Sequence, residues 1–211
     1  DPNRINKDDK QSYTLFGGVT QVINKNTVVQ SNLTFGYQEG YLSDPYKLVY
    51  ITGVSGARDN RPDDRSQFIW TLQMRRWSEK LKAAFQVDYR FYYDDWDIYS
   101  HTVDLGVKKY WDTGWAVEGS LRYYTQTEAE FYDPFFVTAP DDGYQSSDYR
   151  LSPYGAFTFR GKISETIGKW TVSLTGERYI SDGDYSLESV DVENPGLVDF
   201  TLISLGVDYQ F

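Results

Sequence analysis

Thr201-Leu202-Ile203-Ser204-Leu205-Gly206-Val207-Asp208-Tyr209-Gln210-Phe211 form the last stretch of the chain. Odd positions carry Thr, Ile, Leu, Val, Tyr and Phe, and even positions from 204 carry Ser, Gly, Asp and Gln. Side chains of a strand point alternately to its two faces, so this is a strand with one apolar and one polar face. The same pattern recurs upstream. Trp170, Val172 and Leu174 oppose Thr171, Ser173, Thr175 and Glu177. Phe157 and Phe159 oppose Thr158 and Arg160, and Trp115, Val117, Leu121 and Tyr123 oppose Glu118, Ser120 and Arg122. Val103, Leu105 and Val107 oppose Thr102, Asp104 and Lys108, and Phe85, Val87 and Phe91 oppose Gln86, Asp88 and Arg90. Phe68, Trp70 and Leu72 oppose Gln67, Thr71 and Gln73, and Leu33 and Phe35 oppose Asn32 and Thr34.

The pattern predicts nine strands, at 11–23, 27–40, 66–77, 81–94, 98–111, 114–127, 149–164, 168–181 and 199–211. They are longer than the roughly 5 to 6 residues of ordinary strands, and their polar faces carry charges. A soluble sandwich or a lipocalin-like barrel is one reading. Strand length, aromatic residues at the strand ends and the terminal Phe211 favour another: an all-β, transmembrane antiparallel β-barrel with an apolar outside and a polar lumen. In that reading Phe211 is the assembly signal, and the whole of 1–211 is the C-terminal portion of an outer-membrane β-barrel. Short turns at 24–26, 78–80, 112–113 and 165–167 are periplasmic, and 41–65, 128–148 and 182–198 are extracellular loops. Nine is an odd number and places residues 1–10 in an extracellular loop, so the expectation is a larger barrel with strands missing upstream, the alternatives being a miscounted strand or a barrel closed by another chain. A further short strand within 46–53 is expected as an excursion from one of those loops.

Composition closes several routes. The 211 residues include no cysteine, which removes disulfides, thiolate nucleophiles and cysteine metal sites. A net charge of -10 argues against nucleic acid, which is bound through Lys and Arg. No apolar run approaches the roughly 20 residues of a membrane helix. Aromatics at 18% exclude a disordered chain.

Inward positions of the strands collect charge: Arg75, Lys82, Arg90, Lys108, Arg122 and Arg160 against Asp88, Asp104, Glu118, Glu177 and Asp208. Opposite signs on adjacent strands can pair into a lattice that stiffens the wall. The alternative is a polar pathway for small solutes with weak ion selectivity. The acidic excess lies in two loops without Lys or Arg, at 128–148 and 182–199. A solvated surface is one reading, and calcium the other, with Asp141, Asp142, Asp182 and Asp184 as candidate ligands. The 41–65 segment is balanced and reads as a folded loop, with Asp44 and Asp63 as partners for Arg61 and Arg65. One candidate catalytic group is visible: His101, near Ser100, Asp94, Asp95 and Asp97. It falls on the apolar register, beside Tyr92, Tyr93, Trp96 and Tyr99.

Several blocks are familiar in combination: GVTQV at 18–22, GYLSDPYK at 40–47, NRPDDR at 60–65, DYRFYYDDWDIYSHT at 88–102, and LRYYTQ at 121–126 followed by Phe131-Tyr132. They resemble an uncharacterised family of bacterial outer-membrane proteins known only as a domain of unknown function. The resemblance implies an outer-membrane location in a Gram-negative bacterium and lends no catalytic residue and no cofactor. It also implies a weak association with envelope redox chemistry. The expected function is therefore non-enzymatic: a porin-like channel or the membrane scaffold of an envelope complex. The alternatives are a barrel component of a redox-linked envelope system and an outer-membrane hydrolase with a rim site near His101. Expected partners are outer-membrane lipid and lipopolysaccharide, the barrel-assembly machinery and other envelope proteins.

Overall fold

A computed structural model describes residues 8–211. The strands are β1 (Lys10–Asn24), β2 (Thr27–Gly40), β3 (Leu48–Ile51), β4 (Val54–Arg58), β5 (Asp64–Ser78), β6 (Ala83–Asp94), β7 (Tyr99–Tyr110), β8 (Trp115–Gln126), β9 (Tyr154–Ile167), β10 (Trp170–Asp182) and β11 (Phe200–Tyr209). Nine of them form one sheet in the order β1-β2-β5-β6-β7-β8-β9-β10-β11, and β3 and β4 form a separate hairpin. Every neighbouring pair in the large sheet is antiparallel, so the chain runs up and down in sequence order. β-branched and aromatic residues fill these strands, as a pleated surface favours.

Register confirms that period two divides the faces. Leu72, Tyr89, Val103, Tyr123 and Phe157 lie opposite one another across five strands on the apolar side. Gln73, Asp88, Asp104, Arg122, Thr158 and Tyr179 form the corresponding row on the polar side. The tight turn between β8 and its preceding strand needs Gly114, whose φ is +92° and whose missing Cβ would meet the Thr166 carbonyl oxygen at 2.6 Å. The β9–β10 turn falls at Gly168, φ +63°, so residues 165–167 belong to β9 rather than to a turn. At its other end β9 starts later than the sequence pattern suggests. Residues Tyr149–Leu151 form a single 3-10 turn capped by the Asp148 side chain.

The closed barrel is overturned. Among the described residues β1 pairs with β2 alone and β11 with β10 alone, which leaves an open sheet with two free edges. A strand at a free edge presents unpaired N–H and C=O groups, which lipid cannot satisfy; β-structure spans a bilayer only when closed. The transmembrane antiparallel β-barrel and the outer-membrane location built on it are therefore corrected: the described strands form an open sheet. No described helix is long and apolar enough to cross a membrane. What stands is an all-β chain of eleven antiparallel strands in two sheets. The segment 1–7, expected in an external loop, lies outside the described residues.

The apolar face is not covered by a second layer. Leu15 is 71% exposed, and Ile203 and Leu205 are each 73% exposed. The buried core lies instead in the connections at one end of the sheet, which form a cap there. Tyr92, Trp96, Ile98, Ala129, Phe131, Tyr132 and Leu151 form one cluster, with Leu42 and Ile69 against it. Val49, Ile51 and Phe136 form a second, where the β3–β4 hairpin meets the 128–148 loop. Segment 46–53 thus does contain a strand, β3, outside the large sheet.

Candidate functional site: the polar concave face

The polar face encloses a hollow of about 760 Å³ that touches every strand from β5 to β11, so the sheet curls around it. Three consecutive rows run across this face, and most of their residues line the hollow. Nearest the cap run Thr71, Arg90, Thr102, Tyr124 and Ala156. Next comes the row of Gln73, Asp88, Asp104, Arg122, Thr158 and Tyr179. Nearest the short turns are Arg75, Gln86, Gly106, Ser120, Arg160 and Glu177. A second hollow of about 500 Å³ continues toward the short turns and shares Gln86, Glu118 and Ser120 with the first.

The charges on this face are partly spent on one another. Arg75 holds Asp88 through both guanidinium NH groups, one of them at 2.8 Å. That hydrogen bond is the main cause that raises the Arg75 pKa above the ordinary guanidinium value. Arg122 donates from Nε to Asp104 at 3.0 Å, and Lys108 lies 3.7 Å from Glu118. Arg90 and Arg160 are exposed, and no carboxylate among the described residues lies within 4.0 Å of either. Arg90 sits over the Tyr92 ring at 5.5 Å, and Glu177 is the register neighbour of Arg160 without pairing to it. Asp208 shares the face, opposite Thr171. Lys82 does not. It precedes β6 in the turn, with a φ of 47°, and pairs with Asp112.

Three tyrosines close the cap end of the hollow, and the period-two reading missed them. Tyr124 packs on Tyr154 with centroids 5.5 Å apart, and Tyr179 stacks on Phe200 at 5.1 Å. Burial pushes the hydroxyls of all three above the usual phenol value, which keeps them protonated donors. Their signal was present in the sequence: each shares parity with the charged residues of its strand, Tyr124 with Arg122, Tyr154 with Arg160 and Tyr179 with Glu177. A rule that assigns every aromatic to the apolar face hides it.

Above the hollow, the cap carries an ion cluster that sequence spacing did not predict. Arg61 donates to Asp59 and Asp148 at 2.8 Å each, and Arg150 donates from Nε to Asp148 at 2.8 Å and from NH2 to Asp44 at 2.7 Å. The Asp59 and Asp148 side chains are fully buried. Burial pushes the Asp148 carboxyl up, but the hydrogen bonds from Arg150 and Arg61 outweigh it and bring it down to about 2. Arg65 pairs with Asp94, not with Asp63, and lies 4.1 Å from the Trp96 ring centroid. So Asp44 serves Arg150 rather than Arg61, and Asp148 is not part of a solvated acidic loop.

The hydrolase site is also overturned. His101 Nδ1 lies 2.7 Å from the Tyr89 hydroxyl, with the Tyr89 and Phe91 rings against its own. Asp94 is buried and engaged by Arg65, by the Tyr92 hydroxyl and by the backbone N–H groups of Trp96 and Ile98. Among the described residues no carboxylate hydrogen-bonds the imidazole. Of the calcium candidates, Asp142 caps the Tyr144 N–H at 3.0 Å and Asp182 the Asp184 N–H at 2.8 Å. Among the described residues no three His, Asp or Glu side chains gather to hold a metal ion. The porin-like channel, the membrane scaffold and the barrel of a redox-linked system all presuppose a closed wall, which the open sheet of the described residues does not form.

A family model described as "Protein of unknown function (DUF3570)" matches residues 1–196. The chain belongs to this family. The open sheet corrects the resemblance to a family of outer-membrane barrels, and what the match shows is membership of an uncharacterised family. A search of the curated proteins finds no match.

Proposed function

We propose that this member of the family is a non-enzymatic assembly module whose sheet is extended edge to edge by further β-strands, supplied by a second copy of the chain. The observation that carries this reading is the pair of free edges. All fifteen residues of β1 are exposed, as are nine of the ten of β11. Edge strands are normally blunted with Lys, Pro or inward charge. Here β1 contains one charged residue, Lys10 at its start, and β11 one, Asp208 near its end. A two-fold β1–β1′ ribbon therefore opposes no like charges along its length, and it leaves a closed, isologous interface. The exposed apolar face, continuous over the sheet, is of the kind that marks an interaction surface.

Sedimentation velocity over a concentration series tests the reading. The wild-type chain is expected to form a discrete dimer, and Thr14→Lys combined with Thr20→Lys, which charges the β1 edge, is expected to raise the dissociation constant at least tenfold. A chain that stays monomeric at high concentration, or a dimer indifferent to the two lysines, overturns it.

A further inference from the structure

The free edges leave the concave face unexplained, and its chemistry is separate from theirs. Arg90, Arg122 and Arg160 lie on a diagonal: β6 in the row nearest the cap, β8 in the next row, β9 in the third. With strands about 4.8 Å apart and alternate residues about 7 Å apart, the Cα atoms of Arg90 and Arg122 are about 12 Å apart and those of Arg122 and Arg160 about 8 Å. Among the described residues two of the three guanidiniums, those of Arg90 and Arg160, have no carboxylate within 4.0 Å, and the third, Arg122, keeps half its surface exposed beside Asp104, at 57%. A guanidinium presents a fork that matches carboxylate and phosphate oxygens in pairs. Hydroxyl groups lie beside the arginines along their rows: Thr102 beside Arg90 with Tyr124 next to it, and Thr158 beside Arg122 with Tyr179 next to it.

We infer that this hollow is a binding site for an acidic oligosaccharide laid along the arginine diagonal. A ligand of this class meets both features at once. Its acid groups recur along a chain, as the arginines do, and its hydroxyls find neutral donors and acceptors beside them. Of the acids that line the hollow, Asp88 and Asp104 are already held by Arg75 and Arg122, and Glu118 lies 3.7 Å from Lys108; among the described residues Glu177, beside Arg160, is the one without a cation within 4.0 Å, and it opposes a bound anion there. A compact anion such as inorganic phosphate engages one arginine at a time and gains nothing from the spacing.

Isothermal titration with trigalacturonate, maltotriose and inorganic phosphate tests the assignment on the full chain. Trigalacturonate is expected to bind, with affinity falling several-fold as salt rises from low to moderate concentration. Arg90→Gln and Arg160→Gln are each expected to weaken it about tenfold, while Leu105→Gln on the opposite face leaves it unchanged. Absence of trigalacturonate binding, equal binding of maltotriose or phosphate, or indifference to both arginine substitutions overturns the site. Because these substitutions lie away from β1 and β11, the dimer reading stands or falls separately.

Discussion

The large sheet and the cap at its end solve the folding problem in opposite ways. The sheet is regular, pairs its backbone strand by strand, and leaves its apolar side chains exposed. The cap is irregular, yet it holds the buried hydrophobic clusters and an ion cluster whose partners come from segments 87 residues apart in sequence. Local hydrogen bonding organises the first and side-chain packing the second. Substitutions should therefore separate the two regions.

The largest effect is expected at Asp148. Replacing it with Asn leaves Arg61 and Arg150 short of their buried acceptor, which costs about 3 to 5 kcal/mol. Chemical denaturation followed by tryptophan fluorescence should show early loss of the cap around Trp96, with far-ultraviolet dichroism of the sheet retained. Phe131→Ala removes the ring that meets Trp96 edge-on at 5.1 Å and is expected to cost about 3 kcal/mol by the same readout.

Acid should act on the cap as well. The Asp148 carboxyl is held at about 2 in the folded chain against an ordinary 3.8. A depressed carboxyl contributes stability that is complete above about pH 4 and is lost as pH falls through about 2. Tryptophan fluorescence across pH 5 to 1.5 should place the loss of the cap in that window, and Asp148→Asn should abolish the pH dependence there. The smallest effect belongs to the sheet: Val172→Ala, on a side chain 43% exposed, should change the stability of the isolated chain by no more than about 0.5 kcal/mol. A cost there as large as at Phe131 would mean that the apolar face is packed after all.

The same contrast decides what the sequence discloses. Alternation in residues such as Trp170 to Thr175 places strands and faces because strand geometry is local. The start of β9 was misjudged because Asp148, Tyr149 and Arg150 read as polar and aromatic alternation, while their structure is set by an Asp148 cap and by Arg61 from a distant loop. Arg61 and Arg65 sit in one short motif with four nearby aspartates, and spacing cannot tell that Arg61 takes Asp59 and Asp148 while Arg65 takes Asp94. Strand length and Phe211 point to closure, but closure depends on whether the first strand finds the last, and no local pattern encodes that. On the polar face, Arg90, Arg122 and Arg160 were legible one by one, whereas their diagonal needs the register of four strands.

Hydrogen exchange resolved by residue tests the open sheet most directly. At high dilution, amides of β7 and of the cap, such as Leu151, should be strongly protected, while the outward-facing amides of β1 and β11 exchange rapidly and gain protection only as concentration rises. Protection of β1 and β11 equal to that of β7 in the dilute monomer would contradict the account, because it requires those edges to be paired already within one chain.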